Sequence, residues 1–124
     1  MTKTVLVVED EPNIILSLEF LIKEAGYNVR VALDGEEALK AVAEEVPDVL
    51  LLDIMIPKRD GYDVCQTLRA NPAFKDLHII MLTAKGLEAE KEKGLAMGAD
   101  EYITKPFSTR ELAQKLKQHL GSDD

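Results

Sequence analysis

Four short apolar runs in this chain each lead into a polar residue at a fixed place. Residues 5–8 (Val-Leu-Val-Val) lead into Glu9 and Asp10, and 49–52 (Val-Leu-Leu-Leu) into Asp53. Residues 79–82 (Ile-Ile-Met-Leu) lead into Thr83, and 102–104 (Tyr-Ile-Thr) into Lys105. Runs this short and this continuous read as strands covered on both faces. Apolar residues at helical spacing separate them, and that alternation defines an α/β domain with a parallel sheet. Parallel strands align their C-terminal ends on one rim, the rim that open α/β sheets use as a binding edge. The fold class therefore already predicts a meeting point for three carboxylates, a hydroxyl and an ammonium.

The first strand is expected over Thr4–Val8. Pro12 suits the first turn of a helix, and Ile14, Ile15, Leu18, Leu21, Ile22 and Ala25 carry its apolar face until Gly26 stops it. Asn28–Ala32 reads as a second strand that ends on Leu33 with no chemically useful residue, as befits a sheet edge. Asp34-Gly-Glu-Glu37 has the form of a capping box with Asp as the cap, followed by Ala38, Leu39 and Val42. Pro47 separates that helix from a third strand at 48–52. Residues 54–60 read as a surface loop, and 61–70 as a helix ended by Asn71-Pro72. A fourth strand (79–82), a charged helix (87–97) closed by Gly98 and a fifth strand (102–104) follow. Ser108-Thr-Arg-Glu111 is a capping box for a last helix through Leu120. The sum is five strands and five helices in one domain, 1–121, with a short flexible tail at 122–124.

Composition narrows the function. A chain of 124 residues with 46% hydrophobic and 31% charged residues can bury a full core without metal or disulfide help. A net charge of −8 disfavours direct nucleic-acid binding, which needs Lys and Arg on phosphates. No run approaches the roughly 20 apolar residues of a membrane span. The single Cys65 cannot form an internal disulfide, and no signal peptide opens the sequence, so a cytoplasmic setting is expected. Cys65 itself reads as a small buried side chain.

Adjacent strands lie about 4.8 Å apart, close enough for Asp10 and Asp53 to share a ligand. Anions crowded in this way repel, and the pKa of at least one should rise. A divalent cation relieves that repulsion. Oxygen donors suit Mg²⁺, whereas zinc would call for Cys or His. A carboxylate in such a place can attack phosphorus to give an acyl phosphate, and this singles out Asp53. Lys105 would supply a point charge to the phosphoryl group, and Thr83 a hydroxyl donor beside the small Ala84. Each residue also has an ordinary reading. Glu9-Asp10-Glu11 can be a solvated helix entry, Thr83 a β-favouring residue, and Lys105 a surface lysine.

Read together, Val-Leu-Val-Val-Glu9-Asp10-Glu11, Leu-Leu-Asp53-Ile-Met-Ile-Pro57, Asp60-Gly61, Met-Leu-Thr83-Ala84, Gly98-Ala-Asp and Tyr102-Ile-Thr-Lys105-Pro106-Phe107 resemble the receiver domain of two-component response regulators. The similarity is to chemotaxis-regulator-like receivers and spans essentially the whole chain. It implies a flavodoxin-like, doubly wound sheet of order 2-1-3-4-5 with helices on both faces. It makes Asp53 the phosphoacceptor for the phosphohistidine of a sensor histidine kinase or phosphotransfer protein, and the domain a signalling module rather than an enzyme. Asp10, Asp53 and the backbone carbonyl of Met55 would bind Mg²⁺ directly, with Glu9 acting through water. Many relatives carry Asp where this chain has Glu9, although Glu occurs too. The Lys105-Pro106 bond would be cis. Thr83 and Tyr102 would form the switch that carries phosphorylation to the surface of the fourth helix, fifth strand and fifth helix. That surface bears Lys91, Lys93, Asp100, Glu101, Arg110 and Glu111, and would bind a downstream protein or a second copy. Met55 and Lys85 occupy positions that tune water access in relatives, and an apolar Met55 implies slow acyl-phosphate hydrolysis. His78 and His119 match no functional position and are expected at the surface.

Three other readings compete. A haloacid-dehalogenase-type phosphatase needs a second Asp two residues after the nucleophile, where this chain has Met55. A flavodoxin-like FMN site needs a Ser/Thr/Gly-rich loop after the first strand, where this chain has Glu-Asp-Glu. A receiver-like adaptor that takes no phosphate would have no use for Asp53, Thr83 and Lys105 together. The length and tail are those expected of a stand-alone regulator.

Overall fold

The computed structural model describes residues 2–84 and 88–121. β1 (Thr4–Val8), β2 (Asn28–Ala32), β3 (Val49–Asp53), β4 (His78–Ala84) and β5 (Glu101–Lys105) form one parallel sheet in the order β2-β1-β3-β4-β5. Helices α1 (Pro12–Glu24), α2 (Gly35–Glu44), α3 (Gly61–Arg69), α4 (Glu88–Ala96) and α5 (Thr109–Leu120) alternate with the strands. This is the expected class and order.

The central strands β1, β3 and β4 carry continuous apolar runs because both faces of the sheet are covered there. Val5, Val7, Leu51 and Ile80 pack with Leu18 and Ile22 of α1 and with Leu112 and Leu116 of α5. Leu6, Leu50, Ile79 and Met81 pack on the other face with Val42 of α2 and with Val64 and Leu68 of α3. Full burial of one such side chain is worth about 1.5–3 kcal/mol, so these two layers hold the rim residues in place. The predicted caps form: Asp34 accepts from the Glu37 N–H at 2.7 Å, and Ser108 from the Glu111 N–H at 3.3 Å. Gly98 adopts φ +111°, a left-handed helix ending that suits glycine.

The strands extend beyond their apolar runs. β4 begins at His78, which pairs with Val49, and continues through Thr83 and Ala84, which pair with Thr104 and Lys105. β3 likewise includes Asp53, paired with Leu82. Ladder bonds use backbone groups, so hydropathy alone underestimates strand length. A short 3₁₀ turn, Pro72–Phe74, follows α3 where only a helix stop was expected. Leu87, Lys85 and the tail at 122–124 lie outside the described residues, and the side chains of Ala84 and Lys91 are not described.

Candidate metal and phosphoacceptor site

The strand order reverses between β1 and β3, and the acidic residues stand at the C-terminal ends of those two strands. Carboxylate oxygens of Glu9, Asp10 and Asp53 all lie within 4.8 Å of one another. Lys105 reaches across from the end of β5, its Nζ 2.9 Å from Glu9 Oε1 and 2.9 Å from Asp53 Oδ2. The remaining oxygens are also used. Glu9 Oε2 accepts from the backbone N–H groups of Asp10 and Glu11 at 3.1 and 3.2 Å, and Asp53 Oδ1 from that of Met55 at 3.3 Å.

The two acidic neighbours differ in burial. Glu9 is 1% exposed and held by the ammonium, whereas Asp10 faces solvent. Repulsion between the carboxylates is therefore offset in part by Lys105 itself, a compensation the sequence reading assigned to a metal alone. Burial pushes the Glu9 carboxyl above its ordinary range, and the Asp53 charge adds to the shift against the opposing pull of Lys105. For Lys105 burial works downward, but its hydrogen bonds to Asp53 and Glu9 prevail and raise its pKa. The Lys105–Pro106 peptide bond is cis.

Thr83 sits at the same rim but on the opposite face of the sheet, in phase with Met81. It is 1% exposed, and its Oγ1 has no hydrogen-bond partner among the described residues. A buried hydroxyl without a partner costs about 1–3 kcal/mol. Tyr102, half-buried, lies on β5 on that same face, beside Met81 and two residues before the Thr104 that faces Thr83. Glu9, Asp10, Asp53, Thr83 and Lys105 thus stand at one rim, and Tyr102 lies three residues before Lys105 on β5. Asp53, Glu9, Asp10 and Lys105 meet directly, and Thr83 and Tyr102 stand behind them.

A cleft of about 610 Å³ opens beside Asp53, walled by Asn13, Ile14 and Ser17 of α1, by Met55, and by Phe107 and Thr109. Of these α1 residues only Ile14 is legible in the sequence, as part of the helix's apolar face; Asn13 and Ser17 carry no expectation there. Their place in the first turns after Asp10 was the available signal. Met55 is 76% exposed at its mouth. Elsewhere Cys65 is buried, with Sγ 3.5 Å from the Met97 carbonyl, and burial raises its thiol to about 11, an inert structural thiol as expected. His78 departs from the surface role expected of it. It is partly buried, bonds to Glu101 Oε2 at 2.6 Å and stacks on the exposed His119.

The family model for the response regulator receiver domain matches residues 5–117, and the chain belongs to that family. Receiver domains of this family are phosphoacceptor signalling domains of two-component systems. A chain designated a response regulator, from Chloroflexus aurantiacus J-10-fl, superimposes with a TM-score of 0.93 at 40% identity, over 97% of this chain and 98% of that one. The receiver domain of the sensor histidine kinase PA1611 from Pseudomonas aeruginosa PAO1, which has a magnesium ion coordinated in its active-site cleft, gives 0.89 at 32% identity over 98% and 100%. The chemotaxis protein CheY4 of Vibrio cholerae gives 0.88 at 30% identity over 96% and 99%. Among the described residues no helix is long and apolar enough to cross a membrane.

Proposed function

We propose that Asp53 accepts a phosphoryl group from the phosphohistidine of a sensor histidine kinase or phosphotransfer protein in a Mg²⁺-dependent reaction. The observation that carries this reading is the Asp53 carboxylate held 2.9 Å from the Lys105 ammonium, inside an all-oxygen acidic cluster at the open rim. That donor set fits a hard divalent ion, which Asp10, Asp53 and the Met55 carbonyl would hold directly and Glu9 through water. When bound, Mg²⁺ neutralises charge on the phosphoryl oxygens. The rest is done by side chains. An Asp53 carboxylate oxygen attacks phosphorus, the donor's P–N bond breaks, and the imidazole leaves and takes up a proton. The cleft beside Asp53 gives that imidazole its approach. Lys105 exchanges a carboxylate partner for a phosphoryl oxygen, and the unpartnered Thr83 hydroxyl gains an acceptor.

Movement of Thr83 toward the phosphoryl group leaves room behind it on the face that Tyr102 shares. Tyr102 turning into that room passes the event to the surface of α4, β5 and α5, which then binds a downstream protein. The exposed Met55 at the cleft mouth goes with slow hydrolysis of the acyl phosphate, and the buried free thiol of Cys65 with a cytoplasmic setting. Acetyl phosphate with Mg²⁺, followed by intact-mass measurement, tests the reading. One added phosphoryl group is expected, absent without Mg²⁺ and absent in Asp53→Asn. No addition to the wild-type chain would overturn it.

A further inference from the structure

We propose that Gly35, at the start of α2, is a positioning residue for the Met55 carbonyl, acting through the turn at 57–59. The inference rests on the Mg²⁺ site proposed above. The loop between β3 and α3 carries Met55 and is pinned at its far end and in its middle. At its far end the Gly61 N–H donates to the Ile54 carbonyl at 2.9 Å, and a Cβ on Gly61 would lie 2.6 Å from the Asp53 carbonyl oxygen. In its middle the Pro57 carbonyl accepts from Arg59 at 2.8 Å and from Gly35 at 3.1 Å. The first of these closes a three-residue turn around Lys58, whose φ is +69°. A lysine pays strain for that conformation, and such strain persists only where the surroundings enforce it.

The enforcement comes from α2. Lys58 Nζ lies 3.6 Å from Asp34 Oδ2, and Gly35 lies directly against Arg59. A Cβ on Gly35 would stand 2.6 Å from Arg59 Cβ and closer still to the Arg59 carbonyl oxygen, whereas real Cβ contacts essentially never fall below 3.0 Å. The obstacle is backbone, so no side-chain rotation relieves it. Residues 57–59 would have to move. Ile56, 9% exposed, is the packed link between that turn and Met55, so the shift would be passed along the loop. Mg²⁺ demands near-ideal octahedral geometry and tolerates a displaced ligand poorly. Gly35 is buried in a first helical turn with ordinary φ, where alanine is intrinsically the better helix former. Glycine there is explained by the room the loop requires.

Titration calorimetry of unphosphorylated protein with MgCl₂, alongside thermal unfolding without metal, tests this. Gly35→Ala is expected to unfold cooperatively and to bind Mg²⁺ at least tenfold more weakly than wild type. A purely structural glycine would lower the melting temperature and leave the affinity of the folded protein unchanged, so a folded Gly35→Ala binding within twofold of wild type overturns the proposal. Should Gly35→Ala not fold, Lys58→Gly decides. It adds no atoms, suits φ +69° and frees the turn from its strain and from Asp34. Threefold or greater weakening without loss of melting temperature supports the clamp, and unchanged affinity overturns it. Wild-type protein that bound no Mg²⁺ would instead defeat the reading of the site itself.

Discussion

Lys105 holds two carboxylates that lie 1% and 6% exposed, while its own side chain is 24% exposed. Removing one partner of such a cluster strands buried charge, so Lys105→Met should destabilise the metal-free protein by about 3 kcal/mol in urea unfolding at pH 7.5. The pH dependence has a definite sign. Glu9 already titrates above its ordinary 4.5, and losing the Lys105 hydrogen bond raises it further. A raised folded-state value favours the fold below the unfolded-state pKa and loses that benefit as pH rises. The deficit of Lys105→Met should therefore shrink between pH 7.5 and pH 5. An equal deficit at both would show that the stem of Lys105, not its charge, matters. At this scale the sequence was informative about which residues gather, because a parallel sheet sends its strand ends to one rim. It was silent on why Glu9 is buried and Asp10 exposed. Successive residues face opposite ways, and the partner that makes burial tolerable lies 96 positions away.

Elements were legible where pattern and caps agreed, as in α2 and α5 with their Asp34 and Ser108 caps. The base of α5 was not, because its anchors are polar and distant in sequence. His119 stacks on His78 with ring centroids 3.7 Å apart, Tyr27 Oη donates to the Gly121 carbonyl at 2.7 Å, and Lys115 pairs with Glu101 at 3.3 Å. His119 is faced by His78 on β4, by Asp100 just ahead of β5, by Glu101 on β5 and by Asp48 ahead of β3, and it shares a small cavity with Lys3 and Asp76. Burial and the neighbouring imidazole outweigh the acidic groups and lower its pKa below 6.5. A lowered value means stability complete above the unfolded-state pKa and lost as pH falls through the folded one. Wild type should lose more unfolding free energy than His119→Gln between pH 7.5 and pH 5.5. The difference should stay below about 1 kcal/mol, because water screens an exposed ring. Parallel pH curves for the two proteins would remove the stacked pair from the account.

At the scale of the molecule, the sequence displayed the charges of the α4, β5 and α5 surface but not their use. Asp100 Oδ2 is bonded to Arg69 at 2.7 Å and to the Ile79 N–H at 2.8 Å. Glu101 is bonded to His78 and Lys115, and its carboxyl is held low because those bonds outweigh burial. Lys93 lies 4.4 Å over the Tyr62 ring, tying α4 to α3. A symmetric dimer built on these charges would have to exchange contacts already made within each chain, and exposed ion pairs gain about 0–1 kcal/mol apiece. With a net charge of −8 on each copy, long-range repulsion works against pairing as well. A downstream protein that brings its own basic or apolar groups meets neither obstacle. Loading Asp53 with beryllofluoride, a mimic of the acyl phosphate, should therefore leave the protein monomeric in sedimentation velocity up to about 100 μM, an association free energy weaker than roughly −5.5 kcal/mol. A dimer at lower concentration would mean that phosphorylation breaks the Arg69–Asp100 and Lys115–Glu101 pairs. Arg69→Ala, which frees Asp100 without loading the site, should then dimerise on its own.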